Sequence, residues 1–401
     1  MLSNATDLKA SPVSPLSFEN TEIAFRHSSN FALERAYWLF RIINVNFLVK
    51  IGPPVTNFAI KIGLPIKGII KATIFKHFCG GETIAECDNT IKNLYAGGVG
   101  TILDYSIEGE DDENVFDHTR DEIIRTIERA SADKAVPITV FKVTGVGRFS
   151  LLEKLDEGLE LTSIEKAEWK KVQTRVLAIC EKAFKTGIPV MIDAEESWIQ
   201  KTIDLLALDM MGRFNKEKAI IYNTYQMYRH DKLESIKLDY QHALNEDFIL
   251  GAKIVRGAYM EKERKRAEEK NYPSPIQANK EAADIDYNNA LRFCVDNIDK
   301  IAIVAGTHNE DSCRLLAELL NDKQVDHKNP HVYFSQLLGM SDNLSFNLAN
   351  ANYNVVKYVP YGPIKAVLPY LFRRAQENTA IAGQMSRELG LIVKEKRRRK
   401  I

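Results

Sequence analysis

Several features that mark membrane-spanning, secreted or nucleic-acid-binding proteins are missing from the sequence. Its 54 basic and 54 acidic side chains balance over 401 residues, so no overall positive field attracts nucleic acid. No uninterrupted apolar run reaches the roughly 20 residues that a bilayer-spanning helix needs. The five cysteines are widely spread and form no CxxC pair. This pattern indicates neither a zinc site nor a disulfide framework, and it favours a reducing compartment.

Motifs of several common enzyme classes are missing as well. The nearest match to the dinucleotide fingerprint, Gly145-Val146-Gly147, lacks the third glycine at the required spacing. There is no GxSxG motif of a serine hydrolase. The charged residues form neither a carboxylate cluster nor a His/His/Asp set, so no metal site is expected.

Short runs rich in valine, isoleucine and tyrosine alternate with helical stretches along most of the chain. The eight runs are 101–106, 137–144, 189–195, 219–226, 250–259, 301–309, 331–339 and 354–362. Strands that alternate with helices predict a parallel sheet. Eight such units in roughly 280 residues match a closed (β/α)8 barrel of the TIM type. An open doubly wound sheet is the alternative.

The segments that flank these runs divide the chain into four parts. Residues 1–20 carry acids and have neither an apolar core nor arginines, so they predict a flexible leader rather than a targeting peptide. Residues 21–95 predict an N-terminal helical region, and residues 96–378 the barrel. Residues 379–401 predict the end of a helix and a basic tail. The tail is interpreted either as solvated and disordered or as a contact with anionic lipid.

Each strand-like run begins apolar and becomes polar or glycine-bearing at its end. The residues at these ends are Asp104, Lys142, Asp193, Asn223, 253–259, 307–309, Ser335, Gln336 and Tyr358. In a barrel these ends meet on one face, where active sites are built. A buried aspartate there needs a partner, which Lys142 or Lys253 would supply for Asp193. The mixed charges and the small residues Gly257-Ala258 suit a large planar cofactor better than a metal.

The last run is followed by a helix with two adjacent arginines. The apolar face of this helix is formed by Ile364, Val367, Leu368 and Leu371. Arg373 and Arg374 near its end are either solvated surface residues or a clamp for an anion. The clamp is chemically apt because a guanidinium binds a carboxylate through two parallel hydrogen bonds.

Seven short motifs occur in a characteristic order along the predicted barrel. They are MIDAEE (191–196), NTYQ (223–226), KIVRGAY (253–259), GTHN (306–309), QLLGM (336–340), YVPYGP (358–363) and YLFRRAQEN (370–378). Together they resemble the proline dehydrogenase family, flavoenzymes that oxidise L-proline to Δ1-pyrroline-5-carboxylate. Lys253 and Asn223, where bifunctional bacterial members have arginine and glutamine, are similar to the single-function, mitochondrial-type branch.

The resemblance implies a distorted barrel with FAD at the strand ends and the eighth helix over the site. The FAD contacts that it implies are Asp193, Ala194, Asn223, Lys253, Val255, Gly257, Ala258, Thr307, His308, Asn309 and Ser335. The proline carboxylate would be held by Lys142, Arg373 and Arg374, which favours the clamp. The proline ring would be enclosed by Tyr259, Leu337 and Tyr358. Glu108 matches a carboxylate that pairs with the first arginine and gates the site.

The implied reaction is hydride transfer from proline C5 to flavin N5, with Asp193 and Lys253 as the catalytic pair and a membrane quinone as electron acceptor. Two other enzyme functions remain open: oxidation of hydroxyproline, and a Schiff-base lyase or aldolase that uses Lys142 or Lys253 as the amine. A non-enzymatic helical scaffold around residues 21–78 is a further alternative. The leader favours a bacterial cytoplasm with peripheral attachment to the inner membrane over mitochondria.

Overall fold

Eight parallel strands form the centre of the protein in a computed structural model that describes residues 16–43, 67–106, 111–380 and 384–401. The strands are β1 Gly100–Tyr105, β2 Thr139–Phe141, β3 Val190–Ile192, β4 Ile221–Gln226, β5 Leu250–Val255, β6 Ile301–Gly306, β7 Val332–Leu337 and β8 Val355–Tyr361. Each strand overlaps one of the eight predicted runs.

The strands form a nearly closed barrel. The hydrogen-bonded order is β1-β8-β7-β6-β5-β4-β3-β2, and every pair is parallel. Strands β1 and β2 are the two ends of this ladder. There the Thr101 N–H donates to the carbonyl of Ala135, before β2, at 2.7 Å. The prediction of a distorted (β/α)8 barrel is therefore confirmed, and the distortion lies between β1 and β2.

Strand alternation carries the polar residues into the barrel mouth. The residues Ile102, Val140, Met191, Tyr222, Val304 and Val356 belong to one buried apolar cluster inside the barrel. Because successive side chains point to opposite faces, the residue two positions further along a strand faces inward too. These inward positions at the carboxyl ends are Asp104, Lys142, Asp193 and Tyr358.

Helices surround the barrel, and further helices precede its first strand in the chain. They are α1 Thr21–Phe25, α2 Asn30–Ile43, α3 Lys67–Ile70, α4 Lys76–Phe78, α5 Asp88–Ala96, α6 Glu113–Ala132, α7 Phe149–Asp156, α8 Ser163–Thr186, α9 Ser197–Phe214, α10 Lys232–Asn245, α11 Met260–Lys270, α12 Lys280–Asp296, α13 Glu310–Asp322, α14 Asp342–Asn350, α15 Ile364–Ala380 and α16 Gln384–Arg399; a π turn, Lys71–Phe75, joins α3 to α4. None of these helices is long and apolar enough to cross a membrane.

The N-terminal helices pack against the two last helices of the chain. Phe40 of α2, Leu371 of α15 and Ile392 of α16 are buried in one apolar cluster. Phe18, within the segment predicted as a leader, is 1% exposed and belongs to the main core. The described part of the N-terminal region is thus built into the same folded unit as the barrel.

The basic C-terminal segment is helical, whereas one of the two interpretations of the sequence was a disordered tail. Leu391, Ile392 and Glu395 form a buried stripe along α16. The cations on either side of this stripe pair with carboxylates from the other end of the chain: Lys394 with Glu19, Lys396 with Glu34 and Arg398 with Glu22. Arg399 donates to Glu395 at 2.7 Å. Amphipathic spacing and these ion pairs explain why the segment is ordered.

Candidate active site

Asp193 lies at the centre of the barrel mouth and joins residues from three other strands. Lys253 Nζ is 2.6 Å from Asp193 Oδ1, and Lys142 Nζ is 3.2 Å from Oδ2. The Tyr358 hydroxyl accepts a hydrogen bond from Lys253 Nζ at 2.5 Å and donates to Asp193 Oδ1 at 3.1 Å. Asp104 Oδ2 is 4.0 Å from Lys142 Nζ. Asp193 therefore pairs with both of the lysines that the sequence offered as alternatives.

Burial and charge act against each other on these groups. Burial would raise the pKa of Asp193, but the ammonium groups of Lys253 and Lys142 outweigh it and hold that pKa below its usual value. Burial lowers the pKa of Lys253, and Asp193 opposes this shift. Burial and the Asp193 carboxylate raise the pKa of Tyr358 well above its usual value. At neutral pH the mouth therefore holds an ionised aspartate and a neutral tyrosine hydroxyl.

Gln226, at the end of β4, has a buried acceptor atom that a ligand could satisfy. Its side chain is 2% exposed, and Oε1 has no hydrogen-bond partner among the residues that the structure describes. Four residues after the inward Tyr222, it faces the barrel interior as well. A buried acceptor without a partner costs about 1–3 kcal/mol, so a bound donor would stabilise it. The N–H groups of a flavin ring are donors of this kind.

Asn223, the predicted cofactor contact on β4, has its side chain turned toward the surrounding helices. Asn223 Nδ2 donates to Asp204 of α9 at 2.9 Å, and Asp204 pairs with Lys232 at 2.6 Å. Asn223 therefore lies between the barrel and its helices. Its predicted contact with FAD stays a prediction, and Gln226 is the β4 side chain that the sequence left without a role. Alternate counting groups Gln226 with Tyr222, but only the structure shows that Tyr222 faces the barrel interior.

The segment that follows β5 lies at the surface of the mouth. Gly257 and Ala258 are exposed, and Val255 is half-buried. Gly257 has a φ of 133°, and a Cβ there would lie 2.4 Å from the Tyr228 ring. Glycine is therefore required by the backbone conformation and by the packing of Tyr228, in addition to any approach of a ligand.

The residues after β6 are held by different neighbours. Thr307 accepts a hydrogen bond from Arg256 Nη1 at 2.8 Å, so its hydroxyl faces the helices. Asn309 caps α13 by accepting from the Ser312 N–H at 2.9 Å. His308 Nδ1 lies 2.9 Å from the Ser341 hydroxyl. Of the three consecutive residues, only His308 is an even number of positions from Val304, which faces the barrel interior.

Burial, and then the charges of Lys357 and Arg374, lower the pKa of His308 to about 3. The imidazole is therefore neutral at physiological pH. Of the three residues in the predicted clamp, Arg374 is close enough to His308 for its charge to act on the imidazole. Two further predicted cofactor contacts, Ser335 in β7 and Ala194 after β3, are buried and half-buried respectively.

The predicted substrate residues other than Lys142 and Tyr358 come from three elements. Arg374 is 8% exposed, with Cζ 5.3 Å from the centre of the Tyr370 ring, and Arg373 is half-buried. Leu337 packs against the interior cluster of the barrel and against the cluster that contains α15. Tyr259 is half-buried at the start of α11. The predicted gate, Glu108, lies outside the described residues.

Glu195 is a buried acid beside the site to which the sequence gave no role. It accepts hydrogen bonds from the Thr144 N–H at 3.1 Å and from the Thr144 hydroxyl, and so links the ends of β2 and β3. Burial raises the pKa of Glu195 to about 8; the hydrogen bond from the Thr144 hydroxyl opposes this shift, and the repulsion of Glu196 adds to it. Glu195 lies two positions after Asp193 in the motif MIDAEE, and this position could have identified it from the sequence as a residue near the site.

Comparison with known proteins agrees with this architecture. A family model described as proline dehydrogenase matches residues 87–387. Proline dehydrogenase 1, mitochondrial, of Dictyostelium discoideum is 34% identical and covers 90% of this chain and 72% of its own length. The carbapenem antibiotics biosynthesis protein CarD of Pectobacterium carotovorum subsp. carotovorum is 35% identical and covers 80% of this chain and 83% of its own length.

Among solved structures, proline utilization A (PutA) from Bdellovibrio bacteriovorus, inactivated by N-propargylglycine, superposes with a TM-score of 0.72. It is 18% identical and covers 95% of this chain, while this chain spans 40% of its length. At that identity the likeness shows the barrel fold alone. The family model spans most of the chain, and the Dictyostelium relative is more than 30% identical over nearly all of it. The chain therefore belongs to the proline dehydrogenase family.

Proposed function

We propose that this enzyme oxidises L-proline to Δ1-pyrroline-5-carboxylate with FAD as its cofactor. The observation that carries the proposal is the cluster of Asp193, Lys253, Tyr358 and Lys142 at the barrel mouth, in a chain of this family. Two ammonium groups and a buried hydroxyl surround one carboxylate, so these four groups form a polar floor with one excess positive charge for a small zwitterion.

The carboxylate of proline would be held by Lys142, Arg373 and Arg374. Lys142 Nζ is 3.2 Å from Asp193, and its side chain is 15% exposed. Arg374 is buried, and its charge reaches His308 at the same end of the barrel. A carboxylate gripped by such cations has one fixed orientation, which decides which ring carbon faces the cofactor.

The proline ring would lie between Tyr358, Leu337 and Tyr259. Tyr358 and Leu337 are paired in register on the neighbouring strands β8 and β7. The Leu338 N–H donates to the Tyr358 carbonyl at 2.9 Å, which keeps the two walls together. Tyr358 also stays in place through its bonds to Lys253 and Asp193, so the pocket is preorganised.

Bound FAD would supply the hydride acceptor, flavin N5, for the hydrogen at proline C5. Lys253 would donate a hydrogen bond toward N5, and Asp193 would keep Lys253 charged and oriented. Gln226 and His308 would contact the cofactor beside the remaining predicted residues, which are Ala194, Asn223, Val255, Gly257, Ala258, Thr307, Asn309 and Ser335. The unpaired Oε1 of Gln226 supports this placement.

An absorption spectrum tests the proposal directly. Purified protein should show flavin bands that bleach when L-proline is added without air. If the flavin stays oxidised with proline but bleaches with hydroxyproline, the substrate is hydroxyproline. Protein that neither contains nor takes up FAD would overturn the proposal. Trapping of a carbonyl substrate on a lysine by borohydride would then favour the Schiff-base lyase or aldolase.

The arginine clamp has its own test. Arg374→Ala should lower kcat/KM for proline by at least about a hundredfold, because a charged hydrogen bond to the substrate contributes about 1.5–3 kcal/mol and an unpaired substrate carboxylate adds to the loss. Arg213→Ala is the matched control, since Arg213 pairs with Asp209 at the exposed end of α9. An unchanged kcat/KM in Arg374→Ala would show that Arg374 is not part of the clamp.

We further propose that electrons pass from the flavin to a membrane quinone, with the enzyme in the cytoplasm and peripheral on the inner membrane; a mitochondrial location is the alternative. Contact through the basic tail rests on Arg397 and Lys400, which are exposed and make no ion pair with the residues that the structure describes. At about 1 kcal/mol for each basic residue near anionic lipid, the attraction would be weak. Sedimentation with anionic liposomes at low salt should decrease in Arg397→Glu/Lys400→Glu, and an unchanged bound fraction would remove the tail contact.

A further inference from the structure

The loop of residues 338–341, which joins β7 to α14, is held from several sides; we call it the β7–α14 loop. Lys357 of β8, which is fully buried, donates to the Met340 carbonyl at 2.6 Å. His77 Nε2 lies 2.9 Å from the Gly339 carbonyl. These contacts come from the barrel and from the N-terminal helices. They hold the loop at the carboxyl end of β7 without involving any residue that the sequence assigns to a ligand.

Ser341 ends this loop in a conformation that serine rarely adopts. Its φ of 51° and ψ of 44° are left-handed, a backbone conformation that is sterically unfavourable for a non-glycine residue. Ser341 is the N-cap of α14, yet its side chain makes no capping hydrogen bond. The hydroxyl lies instead 2.9 Å from His308 Nδ1, and the Ser341 N–H donates to the carboxylate of Glu388 in α16.

We propose that Glu388 is a positioning residue for the cofactor site, which it reaches through Ser341 and His308. Glu388 and Ser341 are 7% and 2% exposed, so water does not compete for the bond between them. By holding the Ser341 backbone in its strained conformation, Glu388 fixes where the hydroxyl sits and hence how the His308 ring is turned. The inference rests on the proposed function, in which His308 contacts FAD.

The contact needs an acceptor oxygen and does not need a negative charge. Burial, and then the nearby Asp342 carboxylate, raise the pKa of Glu388 to about 7. Protonated and ionised forms therefore both occur near neutral pH, and each keeps an oxygen that can accept from the Ser341 N–H. Glutamine offers the same acceptor in the same shape. Glu388→Gln should therefore keep the hydrogen bond from the Ser341 N–H, whereas Glu388→Ala should lose it.

The experiment compares Glu388→Ala, Glu388→Gln and the matched control Glu395→Ala. Glu395 is a buried carboxylate on the same helix that pairs with Arg398 and Arg399 at 2.8 and 2.7 Å, far from the loop in its contacts. The readouts are the Kd of FAD, from fluorescence titration of flavin-free protein, and the absorption spectrum of bound FAD. We expect Glu388→Ala to weaken FAD binding about tenfold, equal to about 1.4 kcal/mol, and to shift the spectrum. Glu388→Gln and Glu395→Ala should stay within about twofold of wild type, about 0.4 kcal/mol.

A wild-type Kd and spectrum in Glu388→Ala would overturn the inference, as would equal weakening in Glu395→Ala, which would reflect general loosening of α16. If Glu388→Ala does not fold, Ser341→Ala gives the same test, because it removes only the hydroxyl that holds His308. Where both fold, the double variant should bind FAD no more weakly than the weaker single variant, and additive losses would contradict a linked chain. Failure of the proposed function is seen separately, as wild-type protein that does not bind FAD or is not reduced by proline.

Discussion

Replacing Asp193 with asparagine tests the charge balance at the barrel mouth. The carboxylate is 2.6 Å from Lys253 Nζ and 3.2 Å from Lys142 Nζ. At an effective dielectric constant of about 20, each pair has a gross attraction of about 5–6 kcal/mol. Removing one partner of a buried ion pair costs about 3–5 kcal/mol, because the remaining charge stays buried without compensation. We expect Asp193→Asn to lower the free energy of unfolding by that amount near neutral pH.

The loss should shrink as the pH rises. Burial already lowers the pKa of Lys253, and Asp193 opposes that shift, so the variant should lower this pKa further. Between the lowered pKa and about 10.4, the value of a free lysine, the unfolded chain binds more protons than the folded chain. The stability of the variant should therefore rise with pH across this window. Urea unfolding followed by circular dichroism, at about pH 7 and about pH 9, measures both effects.

Arg175→Met provides the control. Arg175 is 2% exposed and pairs with Glu113 and Asp117 of α6 at 2.5 and 2.8 Å, outside the barrel. Its removal should destabilise the fold without recovery at higher pH, because the groups left behind are carboxylates that stay ionised. A loss below about 1 kcal/mol in Asp193→Asn, or one that is equal at both pH values, would refute the reasoning.

Three further changes probe the site and its surroundings. Tyr358→Phe keeps the ring but loses a hydroxyl bonded to two charged groups, so kcat/KM for proline should fall roughly tenfold in steady-state assays; an unchanged value would contradict the proposed pocket. The pKa of Glu195 is raised by burial from 4.5 to about 8, so the folded chain keeps a proton that the unfolded chain has lost, and stability should fall as pH rises through this window. In Glu195→Gln the urea midpoint of unfolding should depend less on pH, and an unchanged pH dependence would mean that another group causes it. Gly257→Ala should lower Tm, because φ is 133° and the new Cβ would lie 2.4 Å from the Tyr228 ring, whereas Gly212→Ala, with open space in α9, should not; equal Tm values would contradict the packing argument.

The barrel could be predicted because its strands are local and repetitive. Each run is rich in β-branched residues and is followed by a helical period, which determines eight parallel units without knowledge of their contacts. The same runs place Asp104, Lys142 and Asp193 at carboxyl ends, and the closure of a barrel brings such ends together. The grouping of Asp193 with two lysines is a direct consequence of that topology.

The side of the strand that a residue faces was harder to predict. Residues 219–226 are apolar on both faces, because a parallel strand is covered by the barrel interior on one side and by helices on the other. No alternation in the sequence therefore distinguishes Asn223 from Gln226. The structure turns Asn223 to Asp204 and leaves Gln226 inside.

The sequence by itself determined the fold class, the strand ends and the family. The tertiary structure decided which polar residues face the barrel interior and what happens to the basic C-terminal segment. Lys396 meets Glu34, and Arg399 meets the carbonyl of Phe25, across more than three hundred residues of chain. Glu388 likewise meets the Ser341 N–H from a separate helix. The local sequence does not reveal such contacts, because they depend on where the packing of apolar faces brings distant segments together.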